Sequence, residues 1–134
     1  WSASNRSALI RIPAARGNST RVELRCPDPS CNPYLALAVC LAAGLDGIEK
    51  GLTPPGEITE NIFDMDSATR AAHGIEDLPN SLEHALEDLQ SDELMHIVLG
   101  DHIYTQYIAG KKKEWEEYCT RVSSWEIAKY MVLY

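Results

Sequence analysis

One stretch of the chain, NPYLALAVCLAAGLDGIEKG at residues 32–51, restricts the possible folds more than any other. Asn32 is a suitable N-cap and Pro33 suits the first helical position, so a helix is expected to begin here. Apolar residues lie almost all round this helix from Tyr34 to Leu45, rather than along one stripe. We therefore predict a helix that is buried on most sides and forms the centre of the core.

Two stretches before this helix alternate in the manner of strands. They are SALIRIPAA at residues 7–15 and TRVELRC at residues 20–26, and RGNS supplies turn residues between them. Period 2 places Thr20, Val22 and Leu24 inward. We predict an antiparallel hairpin with a loop of about five residues. Its polar face collects four charged side chains, Arg11, Arg21, Glu23 and Arg25.

The remainder of the chain is mostly helical in pattern. Residues 51–80 form an acidic, proline-punctuated connection with a helical turn or two after Asp66. Asn80 and Glu83 have capping-box spacing before a helix with one apolar stripe. A short helix is expected over residues 92–99, ending at Gly100, and a longer one follows. The predicted fold class is α+β, an N-terminal hairpin followed by a helical region.

Charge is distributed unevenly along the chain. The formal net charge is −8, yet residues 1–25 carry five arginines and one glutamate. Nucleic-acid-binding proteins lean basic overall, so nucleic acid is not an expected partner. Guanidinium groups bind phosphate and carboxylate through paired hydrogen bonds and keep their charge. The arginine cluster therefore favours a small anionic ligand.

Other signals concern location and cofactors. No apolar run approaches the roughly 18 residues of a membrane span and no signal peptide is evident, so we expect no membrane partner and a cytoplasmic protein. The four cysteines form no CxxC pair and the four histidines no HExxH pair, which predicts reduced, structural cysteines and no zinc site. The 134 residues suit one domain, and the start at Trp1 indicates a piece of a longer protein.

The charged face of the hairpin has two interpretations. Magnesium takes one or two protein carboxylates together with substrate phosphates, so Glu23 between arginines can be one ligand of a nucleotide-bound metal, as in phosphoryl transfer. The alternative is an exposed strand face with weak cross-strand ion pairs. Periodicity alone leaves both open.

The residues NRS, RIP, RVELR, DP and NPYLA follow one another at fixed spacings within residues 5–36. In this the chain resembles the C-terminal part of the catalytic domain of bacterial type I glutamine synthetase. The similarity continues through NIFDM and DLPNSLEHALEDL to WEIAKYM. It implies that residues 1–134 are a fragment whose hairpin extends a larger sheet, with the upstream catalytic part and an N-terminal β-grasp domain absent. The isolated fragment is accordingly expected to be inactive.

The resemblance also implies roles for individual residues. Arg6 corresponds to an arginine that helps bind the reacting phosphoryl group and glutamate, and Arg25 to one that holds the substrate carboxylate. Glu23 corresponds to a ligand of the second divalent metal, Mg²⁺ or Mn²⁺. The expected nucleotide contacts are Arg11, Asn18, Ser19, Thr20 and Arg21. Arg16 lies in a turn that varies in length across the family.

The implied reaction is phosphorylation of glutamate by ATP, followed by attack of ammonia on γ-glutamyl phosphate. The implied assembly is a double-ringed dodecamer in which the apolar tail, residues 124–134, inserts into a neighbouring subunit. Phe63 of NIFDM stands where adenylylated members carry a tyrosine, so no nucleotidylation is expected there. Two other functions stay open: a γ-glutamylpolyamine synthetase, since the amine pocket lies outside this chain, and a non-catalytic module for assembly or regulator binding.

Overall fold

A computed structural model of the chain describes residues 1–133 and divides it into two compact units, Trp1–Leu78 and Pro79–Tyr134. Together they confirm the α+β class, because a small antiparallel sheet precedes a mostly helical region. Among the described residues, no helix is both long and apolar enough to cross a membrane.

The first unit begins with the predicted hairpin. Strands β1 (Ile10–Arg11) and β2 (Glu23–Leu24) pair antiparallel, with Ile10 opposite Leu24 and Arg11 opposite Glu23. The strands are much shorter than predicted, and residues 12–22 connect them, so the predicted loop of about five residues is wrong. Ser2 occupies the other edge of β1, where its N–H donates to the Ile10 carbonyl and its carbonyl accepts from the Ile12 N–H.

The inward positions of the second strand are also less buried than predicted. Val22 is 65% exposed and Leu24 is 38% exposed. The ladder ends before Val22 is reached, so this side chain has no opposite strand to cover it. The prediction that these residues point inward to a core is therefore wrong for Val22 and Leu24.

Helix α1 (Pro33–Glu49) begins as predicted. The Asn32 side chain accepts hydrogen bonds from the backbone N–H groups of Tyr34 and Leu35, at 3.0 and 3.3 Å. The predicted burial is wrong, however, because α1 contains no buried residue. Its large apolar side chains are exposed along one stripe: Tyr34, Leu37, Leu41, Leu45 and Ile48. The pattern predicted the helix correctly, but within the described residues this stripe is left uncovered.

The connection after α1 contains little regular structure. A single 3-10 turn (Ile62–Asp64) precedes helix α2 (Ser67–Ala72), where the side chain of Asp66 accepts from the N–H of Thr69 at 2.7 Å. The hydrogen bonds from Thr69 hold the pKa of Asp66 below its usual value, because they favour the charged carboxylate. The helical turns predicted after Asp66 are confirmed.

The second unit is built around a helical pair. Helix α3 (Leu82–Ser91) packs on α4 (Glu93–Cys119), and Leu86 and Ile108 are buried at 4% and 9% exposure. The cap of α3 is Ser81, whose Oγ accepts from the N–H of His84, rather than the predicted Asn80. Asn80 instead contacts the ring of His84 at 2.8 Å.

Gly100 interrupts α4 as predicted. Its torsion angles, φ 69° and ψ 156°, lie outside the helical region, so α4 consists of two helical parts. A short final helix, α5 (Ser124–Tyr130), has a capping box between Ser123 and Glu126. The apolar tail that includes α5 is largely exposed over its described residues, and Tyr134 lies outside them.

The cysteines and histidines form no metal cluster within residues 1–133. All four cysteines are free, which agrees with the predicted reduced state. Cys26, Cys31 and Cys119 are exposed and Cys40 is half-buried, so exposure gives the first three no structural role in a core.

Candidate anion-binding site

The hairpin brings Arg11 and Glu23 together. Because these two residues face each other in the β1–β2 register, their side chains lie on the same face of the sheet. Arg11 Nη1 lies 2.8 Å from Glu23 Oε2. Arg11 Nε also donates to the carbonyl of Ala3 at 3.4 Å, which connects the pair to the beginning of the chain.

Arg21 takes the second oxygen of the same carboxylate. Its Nε and Nη2 atoms each lie 2.8 Å from Glu23 Oε1. Its Nη1 donates to the carbonyl of Ser19 at 3.2 Å. Glu23 is thus held between two guanidinium groups, and the alternation of RVELR does place these charges in one array. We call the group of Arg6, Arg11, Arg21, Glu23 and Arg25 the arginine array.

Arg25 and Arg6 are joined by a hydrogen bond. The Arg25 guanidinium donates to the backbone carbonyl of Arg6, and the Arg25 N–H donates to the carbonyl of Leu9 at 3.0 Å. The Arg6 guanidinium itself is exposed and has no hydrogen bond or ion pair with any residue between 1 and 133. Arg6 is therefore a cationic group that is free to bind a ligand anion.

The turn before β2 carries three other predicted site residues. Asn18, Ser19 and Thr20 lie in and directly after a 3-10 turn (Gly17–Ser19), which Thr20 closes by donating its N–H to the Gly17 carbonyl at 3.1 Å. All three are exposed. The array and this turn meet at the bond between Arg21 and the carbonyl of Ser19.

Arg16 differs from the arginines of the array. Its Nη1 donates to the backbone carbonyls of Pro13 and Ala15, at 2.6 and 3.0 Å. Its donors therefore stabilise the turn that it belongs to. This contact pattern gives Arg16 a local role, in contrast to the unpaired Arg6.

Sequence reasoning missed a second group of polar residues next to the array. Asn5 and Ser7 flank Arg6, and together with Glu57 they hydrogen-bond residues 1–7 to residues 55–62. We call this contact the seam. Its partners are more than 50 positions apart and follow no periodic pattern, so no sequence signal marks them.

The arginines of the array supply hydrogen-bond donors for anions, and Glu23 supplies one carboxylate ligand for a metal. No group of three potential ligands from His, Cys, Asp and Glu occurs within the described residues. Among those residues, Glu23 is the carboxylate that forms ion pairs with the arginines of the array. Magnesium accepts one protein carboxylate when phosphates and water complete its shell. Each Glu23 oxygen also retains acceptor capacity beyond its arginine partner. The residues present therefore fit one ligand of a phosphate-bound metal.

A cavity in the second unit contains none of the predicted site residues. It is a groove of about 450 Å³ between α3 and α4, with Leu86 and Trp115 among its lining residues. Its rim is mostly acidic, since Glu83, Glu87 and Glu116 outnumber Lys112. This groove offers no cluster of donors for an anion, so the array remains the candidate site.

Comparisons with known proteins agree with the motifs in the array. The sequence profile of the family described as glutamine synthetase, catalytic domain, matches residues 1–130. Glutamine synthetases of Clostridium saccharobutylicum and Thermus thermophilus are each 54% identical to the chain over 134 residues, which is 100% of this chain and 30% of each relative. The chain therefore spans under a third of the length of these curated relatives.

A solved structure has the same fold. It is described as "Apo GmaS without ligand", and it superposes with a TM-score of 0.81 at 33% sequence identity. The superposition covers 98% of this chain and 29% of that protein. Sequence and structure comparisons thus both align nearly the whole chain with part of a longer protein.

Proposed function

The chain belongs to the family of glutamine synthetase catalytic domains, and on that premise we propose that its parent protein is a bacterial type I glutamine synthetase. The reaction is the ATP-dependent ligation of ammonia to glutamate through γ-glutamyl phosphate. Residues 1–134 form the C-terminal portion of its catalytic domain, and the hairpin extends a larger sheet. The observation that supports this most directly is the Glu23 carboxylate, which is held between Arg11 and Arg21 on the hairpin.

Arg6 and Arg25 supply the contacts to the reacting groups. Arg6 binds the phosphoryl group in transfer and the glutamate, because its guanidinium is exposed and unpaired. Arg25 holds the substrate carboxylate next to it, since the Arg25 guanidinium already reaches the backbone of Arg6. Fixed cations of this kind stabilise charge that develops during phosphoryl transfer.

Arg11 and Arg21 bind the nucleotide phosphates, and residues 18–20 lie beside the adenine. Both guanidiniums are partly exposed while paired with Glu23, so they retain donors for a phosphate. Glu23 would hold one divalent metal, Mg²⁺ or Mn²⁺, which would supply positive charge to neutralise the nucleotide phosphates. The pairs with Arg11 and Arg21 orient the Glu23 carboxylate for this role.

The assembly follows from the same premise. The parent forms a dodecamer in the cytoplasm, and residues 124–134 of each chain bind a neighbouring subunit. The exposure of Trp125, Met131 and Val132 supports this, because large apolar side chains at one end of a chain favour an interface. Phe63 is exposed on its 3-10 turn but has no phenolic hydroxyl, so nucleotidylation at this position is not expected.

Phosphate release by the full-length parent tests the proposal. With Mg-ATP and glutamate, we expect release when ammonia is supplied and none above background with putrescine. Release with putrescine alone would instead assign the parent to the γ-glutamylpolyamine synthetases, and no release with either amine would favour the non-catalytic module. The isolated 134 residues are expected to be inactive in the same assay, because they supply only part of the catalytic residues.

A further inference from the structure

Asn5 is the central residue of the seam. Its Nδ2 donates to the carbonyls of Ile58 and Glu60, at 3.1 and 2.6 Å. Its Oδ1 accepts from both the N–H and the Oγ of Ser7, at 2.9 and 2.7 Å. A side-chain amide has two donors and two acceptor sites, so every one of them is used. Only one orientation of Asn5 satisfies this set.

Ser7 continues the same chain of hydrogen bonds. Its hydroxyl donates to Asn5 and accepts from the N–H of Ile62 at 2.9 Å. Both residues that flank Arg6 are therefore bound to residues 58–62. The backbone of Arg6 is held on either side, while its side chain carries no such contact.

Glu57 fixes the other end of the seam. Its Oε1 accepts from the Ser2 hydroxyl at 3.1 Å and from the Ala3 N–H at 2.8 Å. Ser2 is 0% exposed, and its Oγ also accepts from the N–H of Asn5 at 3.1 Å. The buried Ser2 hydroxyl thus closes the turn that leads into Arg6, because it bonds to both Asn5 and Glu57.

These contacts hold the backbone on either side of Arg6, whose guanidinium is exposed. We propose that Asn5 and Ser7 are positioning residues, which hold the Arg6 turn on residues 58–62 so that Arg6 and Arg25 bind the anionic substrate groups at a fixed separation. This inference rests on the proposed function for the identity of those groups. The side chains of Asn5 and Ser7 have their hydrogen-bonding groups occupied, whereas Arg6 between them is exposed. This difference is expected if the two neighbours fix the position of Arg6 before the ligand binds. A misplacement of about 1 Å can lower a rate by about 100-fold.

The test compares matched variants of the full-length parent. Asn5→Ala and Ser7→Ala are expected to lower kcat for phosphate release by about 10- to 100-fold. Ser7→Thr keeps the hydroxyl and is expected to retain most of the activity. Two controls lack seam contacts: Asn80→Ala, whose amide contacts the ring of His84, and Ser4→Ala in the exposed turn before Arg6. Both are expected to retain wild-type activity.

A double-mutant cycle separates positioning from general stability. If Asn5 acts through Arg6, Asn5→Ala has little further effect in an Arg6→Ala background. Equal losses in both backgrounds, wild-type activity of Asn5→Ala and Ser7→Ala, or no rescue by Ser7→Thr would each overturn the inference. The Ser7→Ala and Ser7→Thr pair serves the same purpose if Asn5→Ala does not fold.

Calorimetric binding of Mg-ATP distinguishes failure of this inference from failure of the proposed function. A parent that binds Mg-ATP more weakly after Arg6→Ala and after Asn5→Ala, but does not ligate ammonia to glutamate, would refute the function and retain the positioning role. Binding that depends on neither residue, in a parent that makes no glutamine, would overturn both.

Discussion

The hairpin region and the α3–α4 pair use their side chains in opposite ways. Around the hairpin, charged and polar groups converge while Val22 is left 65% exposed. In the helical pair, Leu86 and Ile108 are buried against each other's helices and the charges lie outside. The first arrangement favours ligand binding and the second favours stability. Substitutions in the two regions are therefore expected to separate activity from folding.

The largest effect is expected at the array. In the full-length parent, Glu23→Ala should lower phosphate release by about 100-fold or more, because the charge-stabilising site loses its carboxylate. The free energy of unfolding should fall by only about 1 kcal/mol or less, since partly exposed ion pairs contribute little. Steady-state kinetics and denaturant unfolding measure the two quantities. Glu76→Ala removes a carboxylate from an exposed position and is the matched control. Equal activity of the two variants would contradict the role of Glu23.

The second effect reverses the pattern. Leu86→Ala in the parent should destabilise the α3–α4 pair by about 2–5 kcal/mol, because it leaves a cavity beside α4. Hydrogen exchange of the α3 and α4 amides measures this locally, and kcat should change little. Ile97→Ala, at a position that is 70% exposed, should cost about 0.5 kcal/mol or less. Loss of activity without loss of protection would show that the two regions are not separable in this way.

A third prediction concerns the exposed tail. Deletion of residues 124–134 from the parent should weaken association between rings, because Trp125, Met131 and Val132 would no longer bury apolar surface there. Analytical ultracentrifugation should then show smaller assemblies at low protein concentration. Replacement of Lys111, Lys112 and Lys113 by glutamine leaves the tail intact and should not alter sedimentation. An unchanged profile after the deletion would count against the inter-subunit role.

The smallest expected effect lies in the capping box of α5. The Ser123 N–H and Oγ hold the pKa of Glu126 below its ordinary value of 4.5, because both favour the charged carboxylate. The cap therefore contributes fully above pH 4.5 and is lost as the pH falls through the lowered pKa. Titration of the Glu126 carboxyl by carbon NMR in the 134-residue chain should show this. Ser123→Ala should raise the midpoint, whereas Ser124→Ala should leave it unchanged.

Local signals in the sequence predicted local structure well. Asn32 and Pro33 marked the start of α1, Asp66 the start of α2, and Gly100 the break in α4. Each of these depends on hydrogen bonds or torsion angles within a few residues. The convergence of Arg11 and Arg21 on Glu23 was also predictable, because period 2 places alternate side chains on one face.

What could not be predicted depends on distant partners. The apolar pattern of α1 indicates burial, but nothing within residues 1–133 covers its exposed stripe, and Tyr34 is 83% exposed. The seam joins Asn5 to Ile58 and Glu60, which lie on the other side of α1 in the sequence. No periodic pattern predicts a contact between residues so far apart. The hairpin loop was misjudged because turn residues at 16–19 close a local 3-10 turn rather than the hairpin.

The break at Gly100 determines which chirality an amino acid at this position can have. A Cβ at this position would meet no atom within 4 Å, so space does not restrict the residue. The restriction is the torsion pair φ 69° and ψ 156°, a region that L-residues avoid and glycine tolerates. A D-amino acid prefers the mirror image of the torsions that L-residues prefer. The mirror image of the Gly100 pair borders the extended region of L-residues, so a D-residue fits this conformation. D-alanine introduced by chemical ligation should therefore be accepted at position 100, whereas L-alanine should strain the backbone.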